Sequence, residues 1–117
     1  FRKLTLLDLS ANDIGPSGVE AICKSRNLPK LKKLVMYRNS IGNEGAKALA
    51  AHSRMEKLEE LDLALNEIGD PGLLSLARSD KLPGLVALYM DNNFASRDAK
   101  EQARQGLFFS KLDSLNL

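Results

Sequence analysis

The sequence predicts an α/β protein built as a right-handed solenoid, in which a parallel sheet lines the concave face and helices cover the convex face. Three observations support this fold class. Leucine accounts for 22 of the 117 residues, the chain repeats every 27 residues, and each repeat joins a short alternating segment to one with helical spacing of apolar residues. A constant period of this length is typical of stacked units that bury their apolar faces against one another.

The repeat aligns four complete units and the start of a fifth. The complete units open with LTLLDLSANDIG, LKKLVMYRNSIG, LEELDLALNEIG and LVALYMDNNFAS. They cover residues 4–30, 31–57, 58–84 and 85–111, with a partial unit at 112–117, and no insertion interrupts them. An apolar column lies three residues before each unit and consists of Phe1, Leu28, Met55, Leu82 and Phe109. We therefore expect residues 1–117 to form a single domain and to be a segment of a longer array.

Each unit is predicted to combine one strand with one helix. Leucine alternates with other residues at the start of a unit, which predicts a short strand with one buried face. After the second glycine of a unit, such as Gly18, apolar residues fall at helical spacing, as Val19, Ile22 and Cys23 do. Strands linked through helices run parallel, with the helices on one side. Because helices are wider than strands, which lie ~4.8 Å apart, we expect a curved segment of five strands and four helices.

An asparagine column follows the predicted strands and consists of Asn12, Asn39, Asn66 and Asn93. An inward amide at this point can bond loop N–H and C=O groups that would otherwise be buried without partners, each costing ~1–3 kcal/mol. We expect these asparagines to hold the loops rather than a ligand. Cys23 shares a column with Ala50 and Ala77, and is expected to be a small buried residue rather than a nucleophile.

The motif L-x-x-L-x-L-x-x-N runs through the whole chain, and by this motif the chain resembles the leucine-rich repeat proteins. Its longer form, clearest in LVMYRNSIGNEGAKALA (34–50), is similar to the ribonuclease-inhibitor type. Units of that type pair a strand with a full α-helix. The even length of the repeats is similar to that of bacterial members. The resemblance implies a horseshoe-shaped solenoid.

Side chains between the inward leucines are predicted to point out from the concave sheet, since neighbouring strand residues face opposite sides. Both tyrosines of the chain, Tyr37 and Tyr89, fall on this open face. Tyr and Arg are enriched where binding energy concentrates, so we predict a partner-binding surface here. Its residues are Val35, Tyr37, Arg38, Asp62, Leu65, Tyr89, Asp91 and Asn92. The alternative is that the tyrosines only pack across neighbouring strands.

The charge balance does not identify a partner. The chain has 17 basic and 15 acidic residues, and the two signs are interspersed along it, which favours neither nucleic acid nor an anionic membrane. Lys32 and Lys33 beside Glu59 and Glu60 predict ion pairs between adjacent strands. The lysines at 3, 30, 57 and 111 are expected to form a solvated edge rather than a nucleic-acid site, because no aromatic residues interleave with them to stack bases.

The fourth unit departs from the pattern of the others. Phe94-Ala95-Ser96 replaces a polar residue followed by Ile-Gly, Ala99 replaces the second glycine, and Arg104 replaces a small residue. We expect its helix to sit differently. Two explanations are open: approach to the end of the array, where repeats are often atypical, and a recognition feature with Phe94 exposed at the rim.

The inventory of reactive residues argues against catalysis. His52 is the sole histidine and Cys23 the sole cysteine, whereas a catalytic triad needs three converging groups and a structural zinc site needs several Cys or His ligands. We predict no catalytic residue, no metal site, no cofactor and no enzyme activity. The sequence also has no apolar run near the ~20 residues that span a bilayer.

The leading hypothesis is a scaffold that binds another protein through the concave sheet face. The alternative is a regulatory or substrate-recognition module of a larger protein, as in family members that activate GTPases or serve ubiquitin ligases. A purely structural array is a third hypothesis. Open apolar ends predict end-to-end self-association or a longer parent chain. A single cysteine and no Asn-x-Ser/Thr site favour an intracellular, cytoplasmic location, and leave a secreted effector open.

Overall fold

The structure, a computed structural model, describes residues 2–117. Within these residues it contains one five-stranded sheet and five helices. Every strand is three residues long, as the short alternating segments predict. In chain order the elements are β1 (Leu6–Asp8), α1 (Gly15–Lys24), β2 (Lys33–Val35), α2 (Gly42–His52), β3 (Glu60–Asp62), α3 (Asp70–Ala77), β4 (Ala87–Tyr89), α4 (Arg97–Gln105), α5 (Leu107–Ser110) and β5 (Ser114–Asn116).

The strands pair in parallel, and their order in the sheet follows the chain. The pairing register equals the sequence period, because Leu7 lies opposite Leu34 and Leu34 lies opposite Leu61. Helices α1 to α4 contact their successors in the same order. The predicted right-handed strand–helix solenoid with a single parallel sheet is therefore confirmed.

The core lies between the sheet and the helices. Leu34 and Leu61 in the strands are fully buried, and Val19 and Leu49 from the helices lie in the same apolar cluster. Full burial of a leucine side chain stabilises the fold by about 1.5–3 kcal/mol, so each internal unit adds several such contributions. Of the predicted apolar column before the units, Phe1 lies outside the described residues and the others are half-buried or buried: Leu28, Met55, Leu82 and Phe109.

Three of the four asparagines in the column, Asn39, Asn66 and Asn93, have the predicted structural role, whereas Asn12 is exposed. Asn66 Oδ1 accepts hydrogen bonds from the backbone N–H groups of Asn39 (2.7 Å) and Ile41 (3.3 Å), one unit earlier. Its Nδ2 donates to the carbonyl oxygens of Met36 (2.8 Å) and Ala64 (3.1 Å). The next asparagine on either side repeats this arrangement. Each amide thus ties the loop of the preceding unit to its own.

Glycine is required where α3 approaches α2. A Cβ atom on Gly72 would lie 2.8 Å from Asn43 Oδ1 and 3.0 Å from Ala46 Cβ, both of which belong to α2. The missing side chain therefore lets the two helices come close.

The expectation of four helices is wrong for the fourth unit, which contains a second, short helix, α5, after α4. Helix α4 ends at Gln105, Gly106 is extended (φ −68°, ψ 153°), and the short α5 begins at Leu107. The break lets Phe109 enter the core, where it is 2% exposed. Helix α4 also begins differently from its predecessors, with Ser96 as a capping residue in place of glycine. Both ends of this helix therefore depart from the pattern of α1 to α3.

Candidate binding surface

The concave face carries rows of side chains that run across the sheet. Pairing places Val35 opposite Asp62 and Asp62 opposite Tyr89, so these three predicted site residues form one row. All three are half-buried, since each stands between neighbours in the row. The row continues to Asp8 on one side and Asn116 on the other.

A second part of the surface lies where the strands end. The Arg38 N–H donates to the Ala64 carbonyl oxygen (3.0 Å), and the Leu65 N–H donates to the Asp91 carbonyl oxygen (3.0 Å). The register of the sheet therefore continues through these residues and brings them beside the row of strand residues. All the predicted site residues come together on three adjacent units, the second, third and fourth. The five beyond the strands are exposed: Tyr37, Arg38, Leu65, Asp91 and Asn92.

Both tyrosines lie on the open face rather than among the buried leucines. Tyr37 is 36% exposed, and Tyr89 is half-buried in β4. Neither residue belongs to the apolar core cluster or to the residues that pack against it. Two strand spacings separate their units, which corresponds to roughly 10 Å across the sheet. The two rings therefore flank the third unit, in which Asp62 and Leu65 lie.

The rim of the surface has an unusual backbone conformation. Arg38, Leu65 and Asn92 have φ values of 61°, 54° and 59°, in the left-handed region. Non-glycine residues pay roughly 1–2 kcal/mol for this conformation, so it persists only where surrounding bonds hold it. Here the conformation is held by the asparagine side chains and by backbone hydrogen bonds between adjacent units. The rim side chains are consequently presented from a stiff backbone.

Part of the charge on the concave face is already paired. Lys33 Nζ lies 3.4 Å from a Glu60 carboxylate oxygen on the next strand, which confirms this predicted pair. Both side chains are more than a third exposed, so screening limits the pair to about 0–1 kcal/mol. The other predicted pair is wrong, since Lys32 and Glu59 form no salt bridge within residues 2–117. The Asp8 carboxylate accepts hydrogen bonds from the hydroxyl and the backbone N–H of Ser10, and these bonds lower the pKa of Asp8.

The other charged residues of the surface remain available to a partner. Asp62 accepts a hydrogen bond from the Ala64 N–H (3.0 Å), which orients its carboxylate. Across residues 2–117, Arg38 and Asp91 take part in no salt bridge. The surface can therefore offer one guanidinium and two carboxylates next to the two phenol rings.

Some surface features differ from a plain reading of the repeat. Ala64 and Ala87 occupy outward positions but are buried, because a methyl group is shorter than the side chains beside it. Phe94 is 71% exposed at the rim. Leu107, which the sequence reasoning missed, is 81% exposed on α5. The repeat alignment could have identified it, because the other units have polar residues at the same position: Arg26, Ser53 and Asp80.

The reactive side chains do not converge. His52 is exposed at the end of α2, and Cys23 is buried in α1, where burial raises the pKa of its thiol to about 11. In the part of the chain that the structure describes, no group of three or more His, Cys, Asp or Glu side chains could hold a metal ion. The helices formed by these residues are also too short or too polar to cross a membrane.

Comparison with known proteins agrees with this architecture. The family model for the Leucine Rich repeat matches residues 2–23, 27–50 and 54–77. A comparison with curated proteins finds no match. The three matched segments follow one another in tandem and together cover more than half of the chain. The chain therefore belongs to the leucine-rich repeat family.

Proposed function

We propose that this protein binds another protein through the concave face of its sheet. Leucine-rich repeats are generally protein–protein interaction modules, and the family is typically a non-enzymatic binding scaffold. The single observation that carries the choice of face is the placement of both tyrosines outside the core, on units that also hold Arg38 and Asp91, which form no salt bridge within residues 2–117. The proposed contact residues are Val35, Tyr37, Arg38, Asp62, Leu65, Tyr89, Asp91 and Asn92.

The rigidity of the face favours binding by a preformed surface. Ordering a flexible side chain at an interface costs about 0.5–1.5 kcal/mol, and a tyrosine has few torsions to order. Tyr89 stands on a paired strand, and Tyr37 lies two residues after the end of β2. Such residues can act as anchors because their rings bring a large contact area with little loss of freedom.

The test is quantitative affinity isolation from the native host with the wild-type chain and with a Tyr37→Ala/Tyr89→Ala variant. A partner that uses the concave face is expected to be enriched by the wild type and lost by the double variant. Its affinity, measured by calorimetry with the purified partner, should fall by at least about 2 kcal/mol, as for hot-spot residues.

A matched control changes the opposite side of the molecule. Glu20 and Lys47 are exposed on the outer faces of α1 and α2, so Glu20→Ala/Lys47→Ala should retain the partner. Equal recovery by the tyrosine variant and the wild type, with both folded by circular dichroism, would reject the concave face. Loss by the helix variant alone would place the interface on the convex side.

The alternative function, a regulatory or substrate-recognition module of a larger protein, stays a hypothesis. Arg38 is the feature that bears on it, since an exposed guanidinium on a stiff rim could stabilise charge on a partner. Arg38→Ala would separate the two proposals, because a regulatory arginine would change the partner's activity while leaving its binding largely intact.

Two further assignments are proposals of the same kind. We assign the repeats to the ribonuclease-inhibitor type because α2 extends over 11 residues, a full helix within a short unit. An intracellular location rests on the single, buried cysteine. Fractionation of the native host, with an antibody against the chain, would test the location.

A further inference from the structure

Stacking separates the charges that are interspersed along the chain. Four segments, residues 24–30, 51–57, 78–84 and 105–111, return the chain from the helices to the strands and lie together along one edge of the solenoid. These segments, called the basic edge here, hold eight of the 17 basic residues but two of the 15 acidic ones. All eight basic residues are exposed.

The opposite edge has the reverse balance. Residues 11–17, 38–44, 65–71 and 92–98, which lead from the strands into the helices, hold five acidic and two basic residues. Helix dipoles favour this arrangement, since cations stabilise helix C-termini and anions stabilise N-termini. That effect fades within the last turn of a helix, however, and Lys30 and Lys57 lie beyond it, next to the strands, whereas Lys111 directly follows α5. The dipoles therefore do not account for the whole basic edge.

The basic edge also contains an apolar groove. A space of about 600 Å³ lies between the C-terminal end of α3 and the short α5. Its apolar wall is formed by Leu82, Pro83, Leu107 and Phe108. Leu107 is 81% exposed, and it is apolar at a position where the other units have polar residues. The groove exists because Gly106 interrupts the fourth helix, a feature that the other units lack.

Basic residues surround the groove. Arg78, Lys81 and Lys111 line it together with one acidic residue, Asp80. None of the four forms a salt bridge with another residue between positions 2 and 117. A partner that enters the groove therefore meets an apolar wall and three exposed cations against one exposed anion.

We propose that this groove is a second docking site, for an acidic segment of a partner protein that inserts one apolar side chain beside Leu107 and places carboxylates near Arg78, Lys81 and Lys111. The site is separate from the concave face, since it lies on the basic edge and shares no residue with the candidate binding surface. Charge complementarity would steer association and make it depend on salt, because added ions screen exposed charges.

A protein segment fits these observations better than the other polyanions. Nucleic acid binding without base readout uses exposed rings that stack on bases, whereas Phe108 is half-buried and packs on Phe109, with 5.4 Å between ring centroids. A membrane surface requires a broad apolar face, whereas Leu107 is the one large apolar side chain classed as exposed on the described basic edge, and its neighbours form a recess.

The test is a selection of random dodecapeptides on the immobilised full chain, followed by fluorescence anisotropy with the recovered peptides. Recovered peptides are expected to carry an apolar residue flanked by Asp or Glu. Leu107→Ser and Lys81→Glu/Lys111→Glu should each raise the dissociation constant about tenfold or more, since the first removes the most exposed apolar side chain of the groove and the second reverses two charges.

Two controls distinguish this site from other surfaces. Phe94→Ser removes another highly exposed apolar side chain, from the opposite edge, and should leave the affinity unchanged. Tyr37→Ala/Tyr89→Ala should also leave the affinity for these peptides unchanged. The groove proposal and the concave-face proposal can therefore fail independently of each other. All the substituted side chains except that of Tyr89 are exposed, and denaturation curves would verify folding.

Several outcomes would overturn the proposal. These are recovery of no peptide, recovery of peptides without acidic residues, and equal binding to the wild type and both groove variants. Vesicles of phosphatidylcholine with one-quarter phosphatidylserine, and a single-stranded oligonucleotide, are tested in parallel. If either binds and the groove variants abolish that binding while no acidic peptide is recovered, the edge serves a membrane or a nucleic acid instead.

Discussion

Asn66 and Asn12 occupy equivalent positions in the repeat, but their surroundings differ. Asn66 is fully buried and makes four side-chain hydrogen bonds to the backbone of its own and the preceding unit. Asn12 is exposed, and its side chain makes a single hydrogen bond, from Nδ2 to the Ser10 carbonyl oxygen (3.0 Å), within the described residues. The two asparagines are therefore expected to contribute very differently to the free energy of unfolding.

We expect Asn66→Ala to lower the free energy of unfolding by about 3 kcal/mol, because buried N–H and C=O groups lose their partners at ~1–3 kcal/mol each. Asn12→Ala should change it by less than about 0.5 kcal/mol, as is usual for exposed positions. Urea denaturation followed by circular dichroism measures both values. Similar losses for the two variants would contradict the structural role of the asparagine column.

Cys23 should be unreactive in the folded protein. Its side chain is fully buried, and its thiol has a pKa of about 11, so the nucleophilic thiolate is scarce at neutral pH. We expect iodoacetamide at pH ~8 to modify Cys23 only after denaturation, as measured by intact mass. Rapid modification of the native chain would show that α1 opens readily or that the thiol is accessible.

At the scale of elements, the starts of α3 and α4 depend on the unit before them. Asn43 at the start of α2 accepts hydrogen bonds from the backbone N–H groups of Gly69 and Gly72 (both 2.9 Å), at the start of α3. Asp70 at the start of α3 accepts from the Ser96 N–H (2.6 Å) and hydroxyl (2.8 Å), and Ser96 in turn caps α4. Orphan N–H groups at helix N-termini are thus satisfied across units.

The Asp70 contact predicts a pH dependence. Hydrogen bonds from the backbone N–H and the hydroxyl of Ser96 hold the pKa of Asp70 below its ordinary value of 3.8. The stabilisation is therefore present above the ordinary pKa and is lost as the pH falls through the lower value of the folded state. Asp70→Asn should lower stability at neutral pH and should flatten the decline between about pH 5 and about pH 2.

Denaturation at a series of pH values measures this effect, and Ser96→Ala provides the matched variant. In the Ser96→Ala background the hydroxyl donor is absent, so Asp70→Asn should change stability less than it does in the wild type. Identical pH profiles for the wild type and Asp70→Asn would show that the contact does not contribute to stability.

At the scale of the whole molecule, the first unit buries its inward residues less completely than the second. The inward residues of the second unit are almost fully buried: Leu31, Leu34, Ile41, Leu49 and Met55. Their equivalents in the first unit are half-buried: Leu4, Leu7, Ile14, Ile22 and Leu28. Several of these, together with Ala21, line a largely apolar groove of about 350 Å³. Solenoids normally cover such faces.

We propose that this face supports end-to-end association. In sedimentation velocity, the average mass of the chain is expected to rise above 12.8 kDa as its concentration increases. Ala21→Glu should keep it monomeric, because a carboxylate would be buried in the contact. The control Ala51→Glu changes an exposed alanine away from that face and should associate like the wild type. A wild-type chain that stays monomeric would refute the proposal.

The features that follow from periodicity could be read from the amino-acid order. An alternating Leu-x-Leu segment has one buried face whichever unit it pairs with, so the strands, the inward leucines and the outward tyrosines were all predictable. The constant offset of 27 residues also placed the asparagines beside one another, and their hydrogen bonds connect residues at that separation. The eight residues of the candidate surface lie on adjacent units for the same reason.

Other features depend on how the units meet in space. The left-handed backbone of Arg38 and Leu65, the capping of one helix by the unit before it, and the groove beside α5 require atoms from neighbouring units, which a single repeat does not specify. The separation of charge is the clearest case. Basic and acidic residues are interspersed along the chain, and they gather on opposite edges only because stacking in register brings all helix ends of one kind to the same side.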